Sequence, residues 1–158
     1  MEIVMHPIGV IHTPFTNKSQ TPIQSARSQA IGTVEIFLDF VDGLEDVEGF
    51  SHLILLYVFH RSSGYELRVK PYLDDQLRGI FATRHPRRPN PIGISIVRLL
   101  RCQGTVLEIE GVDVLDNTPL LDIKPYVPDF DYRPNISIGW LEQAKGKVKP
   151  VVSDSRFK

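Results

Sequence analysis

Leu53-Ile54-Leu55-Leu56-Tyr57-Val58-Phe59 (LILLYVF) is a seven-residue apolar run bounded by His52 and His60. It is too short for a buried helix, and its leucines and isoleucine are joined by a valine and two aromatics, so it predicts a strand buried on both faces. Working outward, further short runs of the same kind recur: Ile3–Ile11 (IVMHPIGVI), Thr33–Leu38 (TVEIFL), Leu67–Lys70, Gly79–Thr83, Gly93–Leu100, Thr105–Ile109 and Val112–Leu115. Turn signals separate them, at Asp42-Gly43, Ser63-Gly64, Gln103-Gly104, Asn117 and the X-Pro steps that follow Thr118. Helical signal is confined to short turns over Leu44–Phe50 and Trp140–Lys147. Many short strands with frequent turns predict a mainly all-β domain, a barrel or sandwich with few short helices. Strand–helix alternation is absent, and so is G-x-G-x-x-G, which excludes the usual dinucleotide cradle.

The 158 residues fit one domain with a real core, and 42% hydrophobic with 23% charged residues is ordinary for a water-soluble chain. No apolar run approaches the roughly 20 residues of a membrane helix, and the N-terminus lacks a signal-peptide layout. A single cysteine, Cys102, cannot form an internal disulfide, which points to a reducing cytoplasm and to a packing role for that thiol. The histidines are scattered and have no cysteine partners at ligand spacing, so no metal site is expected.

Net charge is only −1, but its distribution is uneven. Gln76 to Leu107 holds six arginines and no acid, whereas Glu108 to Asp131 holds seven acids against Lys124 alone. Between Arg27 and Arg61 lie six acids and no lysine or arginine. Such segregation fits a cationic face that meets an anionic partner, or a merely solvated charged surface. The densest cationic stretch is Phe81–Gly93 (FATRHPRRPNPIG). Its prolines fix φ and remove donors, so it reads as a stiff loop that holds guanidinium forks in place. Arg84, Arg87 and Arg88 suit phosphate or carboxylate, and Asn90 can present its amide to a base edge. Asp116-Asn117-Thr118-Pro119 reads as a tight turn with exposed backbone groups, suited to a cationic or amine-bearing ligand. His60, where a strand gives way to loop beside Arg61, is a better site candidate than His52. From residues alone the chain is a β domain whose rigid arginine loop binds an anion.

Four segments, PIGVIHTPF (7–15), GLEDVEGFSHLILLYVFHR (43–61), GIFATRHPRRPNPIGIS (79–95) and DVLDNTPLLDIKPYVPDFD (113–131), resemble the TrmO family, also called TsaA-like or YaeB-like. The resemblance implies a small β-barrel methyltransferase outside the Rossmann class, usually dimeric. It implies S-adenosyl-L-methionine as cofactor and tRNA as substrate, methylated at N6 of threonylcarbamoyladenosine 37. It places cofactor contacts on Pro22, Ile23, Gln24, His60, Arg61, Arg84, Ile94, Asn117, Thr118, Pro119 and Leu120. Relatives commonly read Asp-Gly-Thr-Pro at the turn; Asn117 is the mildest replacement for a glycine at positive φ. On this reading Asp116 is the candidate proton acceptor, and Arg87, Arg88 and Asn90 face RNA. Residues 1–140 form the barrel domain and 141–158 a basic tail. The alternatives are an enzyme using the same cofactor on a small anionic metabolite, or a non-catalytic module binding the cofactor or RNA.

Overall fold

In the computed structural model, which describes residues 1–22 and 28–144, six strands close into an antiparallel barrel. They are β1 (Gly9–His12), β2 (Ile31–Ile36), β3 (His52–Val58), β6 (Ile92–Gln103), β7 (Val106–Glu110) and β8 (Thr118–Pro125), in the order β1-β2-β7-β6-β3-β8. Closure removes every free edge from this sheet. A separate two-stranded ladder, β4 (Arg68–Val69) with β5 (Arg78–Gly79), lies in the excursion between β3 and β6.

The alternation of each strand decides the core. Leu53, Leu55 and Tyr57 of β3 point inward and are 0–3% exposed, as are Ile11, Val34, Ile36, Val97, Leu107, Ile109 and Leu120. Burying each aliphatic side chain contributes about 1.5–3 kcal/mol. The expectation that β3 is buried on both faces is corrected here. Ile54, Leu56 and Val58 point outward and are only half-buried, because a barrel has one interior and, among the described residues, no helix layer covers this wall. β6 is long enough to serve two neighbours. Its first half pairs with β3 and its second with β7, with register shifts at Leu99/Arg101 and, between β3 and β8, at Leu56/Tyr57. Such bulges bend strands around a small barrel.

Three other expectations change. The first strand begins only at Gly9, because Pro7 has no N–H to give a ladder. Val112–Leu115 is not a strand: Gly111 at φ 98° turns the chain, and the carbonyls of Val112 and Val114 accept the hydroxyls of Ser28 and Thr13 instead. The strand lies later, at β8, where prolines had suggested turns. Pro119 precedes the first β8 residue paired with β3, Leu120 opposite Tyr57, and Pro125 sits opposite Leu53 at the far end. Neither therefore interrupts the middle of that ladder. The short turns fall at Leu38–Leu44, Val47–Gly49 and Gly139–Ala144, all of 3₁₀ type. The expected boundary at residue 140 falls inside the last of these, and the basic tail from Lys145 lies outside the described residues.

Candidate functional site

The ends of β1, β3 and β7 and the starts of β2, β6 and β8 share one mouth of the barrel, as their registers require. The connection 59–91, carrying the arginine loop, and the connection 111–117, carrying the turn, therefore meet there. Asn117 has φ 63°, the left-handed conformation that glycine or asparagine takes at least cost. Thr118 is 3% exposed; its Oγ1 donates to Leu115 O at 2.7 Å and lies 3.4 Å from His60 Nδ1. His60 and Thr118, distant in sequence, are thus one constellation. Burial, and then the adjacent Arg61 cation, lower the pKa of His60, so its ring is neutral at pH 7. Arg61 Nη1 donates to Thr16 O at 3.1 Å, and Lys18 Nζ donates to Arg61 O at 3.4 Å, which ties the exit of β1 to the same place.

Asp116 is engaged on both oxygens. Oδ1 accepts the Thr13 N–H at 3.0 Å, with His12 Nδ1 at 3.5 Å, and Oδ2 accepts Asn117 Nδ2 at 3.0 Å. Its carboxylate joins the end of β1 to the turn before β8. The side chain of Leu120 is in the core, fully buried, and underlies the site. Pro119 is half-buried beside Val10, and Pro22 is half-buried at the edge of the described segment. Ile23 and Gln24 lie outside the described residues. Ile94 is on the outer wall and 45% exposed, paired with Leu56.

The arginine loop is braced from within. Arg88 Nη1 donates to Thr83 O at 2.8 Å, Ile80 O at 3.2 Å and His85 O at 3.4 Å. Arg87 pairs with Glu66 at 2.7 Å, and its N–H donates to His85 Nδ1 at 3.2 Å. Burial, and then the Arg87 cation, lower the pKa of His85, which is 8% exposed. Arg84 and Asn90 are exposed. Arg84 is near enough to Tyr57 to act on its hydroxyl electrostatically. That hydroxyl begins a buried polar chain that sequence reasoning missed. Tyr57 Oη lies 2.9 Å from Ser95 Oγ, which donates to Asp113 Oδ1. Burial, reinforced by the Asp113 charge, drives Tyr57 far above its ordinary range, so it stays protonated and donates. Gly93 makes room for this ring, since a Cβ there would come within 2.6 Å of Tyr57 Cζ and 2.9 Å of Phe59 Cζ.

The opposite mouth is chemically different. A cavity of about 510 Å³ there is lined by Asp39, Asp42, Glu45, Asp46 and Asp122 around an apolar floor, a poor seat for an anion. Among the described residues no group of His, Cys, Asp and Glu could hold a metal, and no helix is long and apolar enough to cross a membrane.

Compared with known proteins, residues 10–132 match the family model of the tRNA-methyltransferase O N-terminal domain, TrmO_N, a span from β1 through β8 that includes both loops. The chain belongs to this family. A solved TrmO from Pseudomonas aeruginosa superposes with a TM-score of 0.75 at 39% identity, over 88% of this chain and 62% of that one. A Pyrococcus abyssi protein named as a probable S-adenosyl-L-methionine-binding protein is 53% identical over 98% of this chain and 85% of its own. A mouse tRNA (adenine(37)-N6)-methyltransferase is 37% identical over 86% of this chain, which spans 33% of that enzyme.

Proposed function

We propose that this protein transfers a methyl group from S-adenosyl-L-methionine to N6 of threonylcarbamoyladenosine at position 37 of tRNA. The observation that carries the reading is the meeting of His60 and Thr118, 3.4 Å apart, at the mouth that also bears the arginine loop, in a barrel of the TrmO family. The chain's relatives named as cofactor-binding proteins and as a tRNA methyltransferase supply the two halves of the reaction.

The site fits the cofactor chemically. A sulfonium is a cation, and the neutral ring of His60 sets no imidazolium against it. The turn at Asn117 and the strand start that follows, Thr118–Leu120, form one wall of the proposed cofactor site, and Arg84 offers a fork for the methionyl carboxylate. Pro22, Ile23, Gln24, Arg61 and Ile94 complete the proposed contacts. When bound, the cofactor supplies a methyl on a good leaving group, so the chain's task is alignment of N6 rather than covalent help. A urea-like N6 is a weak nucleophile until it shares its proton, and we assign that proton to Asp116. Arg87 and Asn90 face phosphate and base, and Arg88 contributes by holding the loop that carries them. The threonyl carboxylate of the modified base supplies a further anion for this cationic rim.

The active form is a homodimer. Ile92, Ile94 and Ile96 of β6 are 37–45% exposed on the outer wall and stand opposite Val58, Leu56 and Ile54 of β3. This contiguous apolar stripe suits a second copy, which would bring Ile94 beside a cofactor at the subunit boundary. We assign the reaction to the cytoplasm, a reading supported by a tRNA substrate and a lone cysteine.

The deciding experiment is methyl transfer from labelled donor to tRNA with and without the threonylcarbamoyl group. Label incorporated only into modified tRNA is expected. Incorporation into a small metabolite alone, or donor binding with no transfer, would overturn the reading.

A further inference from the structure

Phe81 is 78% exposed, although its neighbour Ile80 is 1% exposed and anchors the same short turn, Ile80–Ala82. This turn is clamped. The Arg88 guanidinium grips Ile80 O and Thr83 O on either side of Phe81-Ala82. Trp140 Nε1 donates to Ala82 O at 2.8 Å, and the Trp140 ring lies 5.7 Å below the guanidinium carbon of Arg78. Arg78 is itself fixed by Asp74, at 2.6 Å through both Nε and Nη2. The phenyl ring is thus held largely in water by a rigid support that buries little of it. Arg84 and Arg87 follow on the same loop, and Tyr65, also exposed, precedes the Glu66 that pairs with Arg87. Aromatic faces interleaved with cations are what unpaired nucleic-acid strands recognise, because every base has a π-face and every nucleotide a phosphate.

We propose that Phe81 is a stacking platform for an unpaired nucleobase of the RNA loop, beside the arginines that take its phosphates. The inference rests on the tRNA reading above and assigns a residue that reading does not use. Stacking is apolar and short-ranged, so its loss weakens affinity without altering the number of counterions released.

The test is fluorescence anisotropy of a labelled anticodon stem-loop RNA against wild type, F81A and F81W, across a salt series. F81A is expected to bind about tenfold more weakly, within roughly five- to a hundredfold, with the wild-type salt slope, and F81W to restore affinity. Wild-type affinity for F81A would overturn the platform while leaving the tRNA reading intact. A wild type that fails to bind the stem-loop would overturn both. F81A that sediments as a smaller species, with unchanged RNA affinity, would make Phe81 a contact between copies of the chain and likewise overturn the platform.

Discussion

Deleting one hydroxyl from the barrel interior should cost more at Ser95 than at Tyr57, although the two share a hydrogen bond. Tyr57 is 3% exposed and Ser95 4%. Tyr57 donates to Ser95 Oγ, and Ser95 donates to Asp113, so the direction of the chain is fixed by the carboxylate that ends it. Tyr57→Phe removes the first donor and leaves Ser95 bonded to Asp113, a loss of about 1 kcal/mol. Ser95→Ala removes the bond to the carboxylate, about 1.5 kcal/mol, and leaves a buried phenol without an acceptor, which costs about 1–3 kcal/mol more. Its total is about 2.5–4.5 kcal/mol. The double variant has no orphaned phenol, so it should be no less stable than Ser95→Ala alone, rather than the sum of the two. For a chain of this length each kcal/mol moves Tm by about 2–4 °C, so Ser95→Ala should melt about 5–18 °C lower and Tyr57→Phe about 2–4 °C lower. Urea titrations at constant m-value give the same ranking independently. Strict additivity, or a larger loss for Tyr57→Phe, would refute the proposed polarity of the chain. Tyr57 titrates above its ordinary value of 10.0, so this contribution is complete below pH 10 and fades as pH rises beyond it.

Further outcomes follow from the loop and the turn. His85 is held neutral and its Nδ1 accepts the Arg87 N–H. Its lowered pKa means that stability is complete above its ordinary value of 6.5 and falls with pH below it, and His85→Gln should flatten that acid limb in thermal melts. Arg87→Ala should reduce the salt slope of RNA binding by about one, because one cation is lost from the rim. Arg88→Ala should instead lower Tm and weaken binding with the slope nearly retained; the reverse pattern, read by anisotropy, would place Arg88 on phosphate. Asp116→Asn should lower turnover more than donor affinity in single-turnover assays, and a loss confined to affinity would leave the carboxylate only its turn-holding bonds.

The barrel wall was legible where the sequence alternates freely. β3, β6 and β7 were found within one to three residues at each end because short apolar, β-branched runs there are bounded by turn residues, although in β3 the unbroken run hid which face is the core. β8 was not, since Pro119 and Pro125 signal turns unless their positions on the ladder are known, and register is a property of neighbours rather than of the strand itself. The positive φ of Asn117 was legible from its residue type. The approach of His60 to Thr118 was not, because a separation of 58 residues has no local signature and only the family resemblance joined them. The direction of Arg88 was also hidden. A guanidinium reads as surface charge in any sequence, yet here proline-rich backbone leaves carbonyls with few internal donors, and Arg88 turns back to them. Ser95 and Asp113 gave no signal at all, because a serine in an alternating strand is ordinarily the solvent face.

The charge blocks survive folding only in part, and this decides how the molecule meets RNA. Asp39, Asp42, Glu45 and Asp46 stay together at one mouth, around the cavity. Of the six arginines in the cationic block, Arg98 and Arg101 stand on the barrel wall opposite Glu110 and Glu108, at 3.6 and 2.8 Å, and are matched there. Arg78 is paired with Asp74 and Arg88 is turned into its loop. Among the described residues the cationic surface is therefore narrower than the sequence suggests: Arg84 is exposed on the loop, and Arg87 beside it is itself paired with Glu66. With few exposed cations on this loop among the described residues, and about 0.7 of a counterion released per single-strand phosphate, their share of the salt dependence of binding should be shallow. The acidic far mouth opposes approach from that end, so long-range attraction is directional rather than strong. On the proposed function, such a surface orients RNA by charge and leaves the hold to shape, which is the part the proposed stacking on Phe81 would supply.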